Sequence, residues 1–508
     1  MGFTVSPAAA NCKFGVEFFA TLALALPAMT RLILTDLTTL ALFVAHVVYM
    51  IRAVIRPHRE PAARLAWVML ILLVPVGGIV AYWLLGEMYL GKRRRRRLAE
   101  LEAGLPRPFG WPGPGPALAD DRYAPPFQLA RQLNNLSPTL GNAVEVLPVH
   151  REIVERLITD IDAARETVHI AFYIWLEDNT GTRLTQALQR AAQRGVAVRV
   201  IADGVGSRSF IKSPLWRAMR NSGVSLKVAL KVTNPIGHIL YRRIDLRNHR
   251  KSVIVDNRIA WFGSMNAADP EFRIKPAFAP WIDLMLCCTG PVALQAQHLF
   301  ALDWMGEDGD DLTPLLQAPA PASDKGNALL QVIGTGPTAP FAAMSEIFAT
   351  MIHAAAREVI VTTPYFVPDD PLLSALVSCA RRGAGVTLIL PEHNDSWLVS
   401  GASRSSYAAL LDAGVGLHHF PDGLLHAKTM TVDGEVALVG SANMDRRSLD
   451  LNFENNLLLR DRAAVAQIRE QQQAWLLQSH MVTRADVAAW GIRKRLWHNL
   501  LAMLSPIL

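Results

Sequence analysis

Histidine, lysine and asparagine recur at fixed offsets in two stretches of the chain, HRKSVIVDNRIAWFGSMN (249–266) and HAKTMTVDGEVALVGSAN (426–443). Both read H-x-K-x4-D-x6-G-S-x-N. His249, Lys251, Asp256, Gly263, Ser264 and Asn266 thus match His426, Lys428, Asp433, Gly440, Ser441 and Asn443. The segments after each histidine, SVIVD and TMTVD, are β-branched and apolar and predict a strand. Residues two apart on a strand share a face, so each His-x-Lys pair points into one cavity. Lysine supplies compact positive charge for a non-bridging phosphate oxygen. The Gly-Ser turn brings backbone close, and asparagine adds an amide donor. Lys251, Lys428, Ser264, Asn266, Ser441 and Asn443 are therefore expected to bind phosphate.

Two such sets facing each other would clamp a phosphodiester and stabilise the charge that develops on it. One histidine would attack phosphorus and the other would protonate the departing alkoxide, then deprotonate the incoming hydroxyl. An unperturbed pKa of about 6.5 suits proton transfer in both directions. Lysine charge makes a metal unnecessary. Asp256 and Asp433 join His249, Lys251, His426 and Lys428 as candidate catalytic residues, although acids at the far end of a strand more often pair with backbone. Glu454 in LNFENN and Asp283 in PWIDLML are better candidates for orienting the imidazoles.

The elements around the two motifs also repeat. ARETVHIAFYIW (164–175) followed by QALQRAAQRGVAVRVIADG (186–204) rhymes with AREVIVTTPYFV (356–367) followed by SALVSCARRGAGVTLILPE (374–392). Each reads strand, helix ending at Arg-Gly, strand, with the glycine as C-cap. That order argues a parallel sheet with crossover helices. NSGVSLKV (221–228) and DAGVGLHHF (412–420) repeat as a third element, and the Pro/Gly-rich segments 104–126 and 311–326 read as linkers.

Of the 508 residues, 51% are hydrophobic, and the excess is local. Residues 66–86 carry no charge over a length of about 20 residues, enough to cross a bilayer. A second apolar run gives a span near 32–54. A shorter stretch, 18–29, fits only an interfacial or re-entrant segment. The net charge of +7 also sits here: residues 1–97 carry +8, leaving −1 for the remainder. The run KRRRRR after the second span suits anionic headgroups and a cytoplasmic remainder. A catalytic region without a basic stripe counts against nucleic acid as a partner. Four cysteines without metal or disulfide spacing indicate a reducing compartment.

On these residues the chain resembles the phospholipase D superfamily and, within it, the bacterial cardiolipin synthases. RNHRKSVIVD (247–256), TPYFVPDD (363–370), GSANMDRRSLDLNFE (440–454) and the N-terminal spans ending in YWLLGE carry the likeness. The resemblance implies an α/β fold of two duplicated phospholipase D-type lobes, each a mixed sheet flanked by helices. They would form a pseudo-two-fold bilobal core behind an N-terminal transmembrane hairpin. It implies membrane region 1–103, first lobe 127–310 and second lobe 327–508, in a multi-pass inner-membrane protein with a cytoplasmic core.

The implied reaction transfers a phosphatidyl group from one phosphatidylglycerol to another, without cofactor or metal, in contact with anionic membrane lipid. The resemblance makes His249 the nucleophile and His426 the acid and base. A hydrolase, or a transferase using phosphatidylethanolamine or another alcohol, would carry the same residues. Three departures bear on the acceptor: GSMNAADPEF and RIKPAFAP in the first half, and the run at 393–407 in the second. The insertion after Val228, with Arg242 and Arg243, reads as a lip on the bilayer or a surface loop, and the tail 490–508 as interfacial or packed on the second lobe. Oligomeric state is left open.

Overall fold

The computed structural model describes residues 36–56, 61–86, 90–107, 121–232, 243, 245–319 and 326–503. The stretch 18–29, Arg242 and the closing LSPIL lie outside them. The chain divides into two compact units, residues 1–87 and 88–508.

In the first unit, helix Asp36–Ile55 is long and apolar enough to cross a membrane. Its 20 residues rise about 30 Å, and large side chains such as Phe43 and Ile55 are exposed along it. The expected span 66–86 is not one helix. It is split into Pro61–Leu73 and Pro75–Leu85, each shorter than a bilayer core. Proline at 75 has no N–H to continue the first helix. The second folds back over it: the Trp67 and Tyr82 ring centroids lie 5.3 Å apart. A Cβ on Gly78 would meet the Leu70 carbonyl oxygen at 2.4 Å, so only glycine allows that approach.

The second unit is built on one sheet. The first lobe contributes β1 (Thr139–Leu147), β2 (Thr167–Phe172), β3 (Ala197–Asp203), β4 (Ser225–Ala229), β5 (Ser252–Val255), β6 (Ile259–Gly263) and β8 (Met285–Thr289). The second contributes β9 (Ala328–Thr335), β10 (Glu358–Thr362), β11 (Gly385–Pro391), β12 (Gly416–Phe420), β14 (Thr429–Val432), β15 (Val436–Gly440) and β16 (Glu454–Arg460). The order β12-β11-β10-β14-β15-β16-β9 continues into β1-β8-β6-β5-β2-β3-β4, so one lobe repeats the other about the β9–β1 junction. An edge strand, β17 (His480–Val482), extends the second lobe beside β12. The parallel part expected from the repeat is present, with β2 on β3 and β10 on β11; the motif hairpins β5–β6 and β14–β15 are antiparallel, which makes the sheet mixed.

Helices cover both faces. Asp178 and Asp369 cap Asn179–Gln193 and Asp370–Arg381, each side chain accepting a backbone N–H. Gly195 and Gly383, with φ of 88° and 92°, end these repeated helices as expected. On one face the helices Val292–Gly306 and Arg462–Leu477 bury Phe300, Trp304, Ile468 and Trp475 in a core shared by both lobes.

Two boundaries differ from the expected ones. Helix Ala124–Asn134 precedes the first lobe in sequence but packs on the second, with Phe127 and Ala130 among Ile333, Met344 and Phe348. The arginine-rich run forms helix Lys92–Gly104 within the catalytic unit, where Arg94 pairs with Glu307 and Arg97 with Asp308. Charge complementarity with those acids, rather than with headgroups alone, fixes it there.

Asp256 and Asp433 start the turns of the two motif hairpins, at φ of 51° and 56°. Asp256 accepts from the backbone N–H groups of Arg165, Glu166 and Thr167 at 2.8–2.9 Å. Asp433 accepts from Ala356, Arg357 and Glu358 at 2.6–2.8 Å and from the Tyr123 hydroxyl at 2.9 Å. Burial would raise the Asp433 carboxyl, but these donors hold it below its ordinary 3.8. Its stabilisation is therefore present above about pH 4 and is lost as pH falls through the depressed value. Asp433→Ala leaves three amides without an acceptor. It is expected to lower the thermal unfolding midpoint of detergent-solubilised protein by roughly 5 °C, while Asp433→Asn loses less; an unchanged midpoint in both would overturn this role.

Candidate active site

Each motif hairpin runs out of the sheet at its His-x-Lys end, so both pairs arrive at the junction of the lobes. There the lead-in to each motif pairs with the other lobe. The His249 N–H donates to the Phe453 carbonyl at 2.9 Å, and the Phe453 N–H donates to Arg247. In the mirror-related place, short strands β7 (Trp281–Ile282) and β13 (Leu424–Leu425) pair in parallel, and the His426 N–H donates to the Ile282 carbonyl at 2.8 Å.

This backbone exchange hands each histidine a carboxylate from the opposite lobe. His249 Nδ1 lies 2.9 Å from Glu454 Oε2, and His426 Nδ1 lies 2.6 Å from Asp283 Oδ1. With Nδ1–H donating to a carboxylate, Nε2 of each ring is left for chemistry. Glu454 and Asp283 are thus where an orienting acid must be; that they serve crosswise was not in the spacing.

The lysines adopt one geometry twice. Lys251 Nζ donates to the His249 carbonyl at 2.8 Å, and Lys428 Nζ to the His426 carbonyl at 2.5 Å. Both are buried, as are both histidines. Ser264 and Ser441 were expected on phosphate but hold the acids instead: their hydroxyls donate to Asp283, at 2.6 Å, and to Glu454. A hydroxyl one residue past the Gly turn faces the segment that carries the acid. Asn266 and Asn443 are buried in the same turns; Asn266 Oδ1 accepts from the Ile174 N–H at 3.1 Å, and Asn443 Nδ2 donates to Ser448 at 3.2 Å. Asp256 and Asp433, at the opposite ends of β5 and β14, are not part of this group, because their oxygens are spent on backbone amides.

Three residues were not foreseen. Asn455 brackets Lys251, accepting from its N–H and donating to its carbonyl, both at 3.0 Å. The Tyr173 ring lies edge-on to His249 with centroids 5.0 Å apart, and Trp281 lies 4.4 Å from His426. Asn455 directly follows Glu454, and Trp281 stands two before Asp283. Only knowledge of the lobe exchange gives those positions meaning. The run 393–407, expected on the acceptor side, contains helix Trp397–Arg404, which packs on the tail helix Ile492–Met503 through Val399, Ala402 and Leu501. The insertion read as a lip or a surface loop lies largely outside the described residues, and its Arg243 is buried, 2.5 Å from Asp245.

Electrostatically the cleft is balanced but uncomfortable. Burial, with the neighbouring lysine charge, pushes His249 and His426 down to about 4 in spite of their carboxylates. Burial likewise lowers Lys251 to about 8 and Lys428 to about 7, the latter also repelled by Lys251. Burial would raise Asp283 and Glu454, but His426 and His249, with the lysines and serines, hold both below the ordinary range. At neutral pH two carboxylates face two lysines across two uncharged imidazoles, and a phosphodiester monoanion would restore the cations. Among the described residues no group of three or more His, Cys, Asp or Glu is arranged to hold a metal.

A sheet duplicated about a two-fold axis, with a His-Lys pair and a borrowed acid from each half, is the core of a phosphatidyl-transfer enzyme of the phospholipase D type. The family described as "Cardiolipin synthase, PLD-like domain" matches residues 157–276 and 348–475. "Phospholipase_D-nuclease N-terminal" matches 45–87. Cardiolipin synthase A of Yersinia pseudotuberculosis serotype O:1b and that of Yersinia pestis are each 35% identical over 478 residues, 90% of this chain and 95% of theirs. The fold is similar to that of a phosphatidylserine synthase from Haemophilus influenzae, with a TM-score of 0.56 at 14% identity over 75% of this chain and all of that one. The chain belongs to the cardiolipin synthase family of the phospholipase D superfamily. Its N-terminal match and apolar helix make it membrane-associated.

The lysine values fix the sign of a pH effect. A lysine must be charged to attract phosphate, and it loses that charge as pH rises through its pKa. The free-enzyme profile, kcat/KM, is therefore expected to fall about tenfold per pH unit above roughly pH 7, where Lys428 loses its proton, and more steeply above roughly pH 8, where Lys251 follows. By contrast, kcat holds to higher pH because bound phosphate keeps the lysines charged. Parallel alkaline limbs in kcat and kcat/KM would exclude this.

Proposed function

We propose that the enzyme joins two phosphatidylglycerol molecules, moving a phosphatidyl group from one to the primary hydroxyl of the other and releasing glycerol. The observation that carries this reading is the crosswise pair of buried imidazole–carboxylate contacts flanked by two buried lysines. His249 Nε2 attacks phosphorus, forming a P–N bond as the P–O bond to the donor glycerol breaks. The departing oxygen takes its proton from His426, whose imidazolium is favoured once the phosphodiester's negative charge is present and Asp283 accepts from Nδ1. Glycerol leaves. The acceptor hydroxyl then gives its proton to His426 Nε2, its oxygen attacks phosphorus, and the P–N bond breaks to return His249.

Lys251 and Lys428 hold the non-bridging oxygens in both steps, with the amides of Asn266 and Asn443 as further contacts. Ser264 and Ser441 act through the acids they hold. The reading places the catalytic unit on the cytoplasmic side of the inner membrane, supported by the arginine run after the apolar segments and by free, buried Cys287, Cys288 and Cys379. Helix Asp36–Ile55 supports a crossing; the folded-back pair 61–85 supports a shallow insertion rather than a second full one.

Detergent-solubilised protein incubated with phosphatidylglycerol alone and a chelator should yield cardiolipin and free glycerol in equal amounts. Phosphatidic acid without cardiolipin would make water the acceptor, and dependence on phosphatidylethanolamine would change the donor. For the division of labour, an acid-labile phosphohistidine should accumulate in His426→Ala and be absent in His249→Ala; the reverse pattern exchanges the two roles.

A further inference from the structure

Away from the cleft, the second lobe presents a surface that the transfer reaction does not use. Helix Ile492–Met503 lies on helix Trp397–Arg404, anchored by Leu501 against Val367, Val399 and Ala402. A Cβ on Gly401 would meet Leu501 Cδ1 at 2.2 Å, so that glycine lets the two helices close. Little else of the tail helix is buried. Ile492, Leu496, Leu500 and Met503 form one outward row, between 45% and 84% exposed. Trp497, 50% exposed, stacks on Trp397, 63% exposed, with ring centroids 5.8 Å apart.

The charged residues of this helix are of one sign. Arg493, Lys494 and Arg495 stand in a row, and the helix contains no acid. Beside the apolar row opens a cavity of about 440 Å3 lined by Arg404, Arg484, Arg495, His498 and Trp490, with one carboxylate, Asp412, in its wall. His498 is buried, and its Nδ1 has no partner among the described residues. The carboxylate nearest these arginines, Asp412, stands 3.6 Å from Arg484.

We propose that this surface binds an anionic phospholipid separately from the catalytic cleft. The phosphate is held between Arg404, Arg495 and His498, the acyl chains lie along the Ile492–Leu496–Leu500 row, and the Trp397–Trp497 pair sits at the level of the headgroups. Exposed apolar residues with cationic neighbours and interfacial indoles match a lipid surface. A second copy of the chain fits less well, since two like-charged faces would meet. The arginine forks match phosphate oxygens, which inorganic phosphate also offers.

The test uses the full chain in nanodiscs containing phosphatidylglycerol or phosphatidylcholine with brominated acyl chains, which quench nearby tryptophan. Trp397→Phe/Trp497→Phe removes two of the 12 tryptophans and should remove a quenched component seen in phosphatidylglycerol discs; the remaining tryptophans provide a constant background. Arg404→Gln/Arg495→Gln should shift the phosphatidylglycerol fraction needed for that component upward by roughly tenfold. An unchanged quenched fraction in the tryptophan variant overturns the proposal, as does a component equal in both lipids. Its loss on adding inorganic phosphate, with no phosphatidylglycerol dependence, assigns the pocket to a soluble anion and also overturns it. Turnover of a short-chain phosphatidylglycerol in detergent micelles should be retained by both double variants, which separates this site from the catalytic reading.

Discussion

Each imidazole of the cleft meets a carboxylate from the other lobe, and this exchange is the constraint on which the catalytic unit rests. A histidine buried beside two lysines has no stable orientation without an acceptor for its Nδ1–H, and neither lobe offers its own. The site therefore exists only when the lobes are docked in one register. Several features enforce that register: the continuous sheet across β9 and β1, the core shared beneath it, and the two backbone exchanges around Phe453 and Ile282. Helix Ala124–Asn134 adds a strap. It enters the first lobe from the second, tied down by Tyr123 on Asp433 and by an Arg460–Asp121 pair.

The same burial sets the reactivity. Burial holds the lysines and histidines of the cleft below their ordinary pKa values, which favours their uncharged forms in the empty site. A phosphodiester adds the negative charge that the lysines lack. Binding would thereby recharge the lysines and raise the fraction of His426 present as imidazolium, the form that the proposed proton donation needs.

Much of this was legible in the sequence, for a definable reason. A duplicated pattern is evidence of a kind that a single histidine is not, and the repeated strand–helix–strand elements gave the lobes and the two-fold arrangement. Glu454 and Asp283 were visible because each follows a Gly-Ser turn closely enough to reach the cleft. Pattern could not convey pairings across the axis. Crosswise service of the acids and Asn455 around Lys251 depend on which edges of two lobes meet, and β-registry between distant segments leaves no periodic trace. The break at Pro75 shows the converse: an uncharged run of spanning length says nothing about a fold-back that Gly78 permits. Asp256 and Asp433 recur for a structural reason, since a hairpin turn that also gathers three amides needs a carboxylate at positive φ.

The two copies of the motif are alike in backbone but not in surroundings, and the difference supports the division of labour proposed above. Glu454 reaches His249 with both oxygens, at 3.0 and 2.9 Å, and also receives Ser441 and Asn452, which spreads its charge over several donors. Asp283 instead concentrates on one oxygen, which takes both His426 at 2.6 Å and Ser264. A ring that must become imidazolium benefits from the tighter, more localised anion; a ring that must present a lone pair benefits from orientation without strong proton demand. The aromatic neighbours differ as well. Tyr173 stands edge-on to His249, while Trp281, stacked with Phe272 at 3.8 Å, lies tilted against His426. The two histidines are equivalent in their motifs, and the carboxylates that reach them from across the axis make their surroundings different.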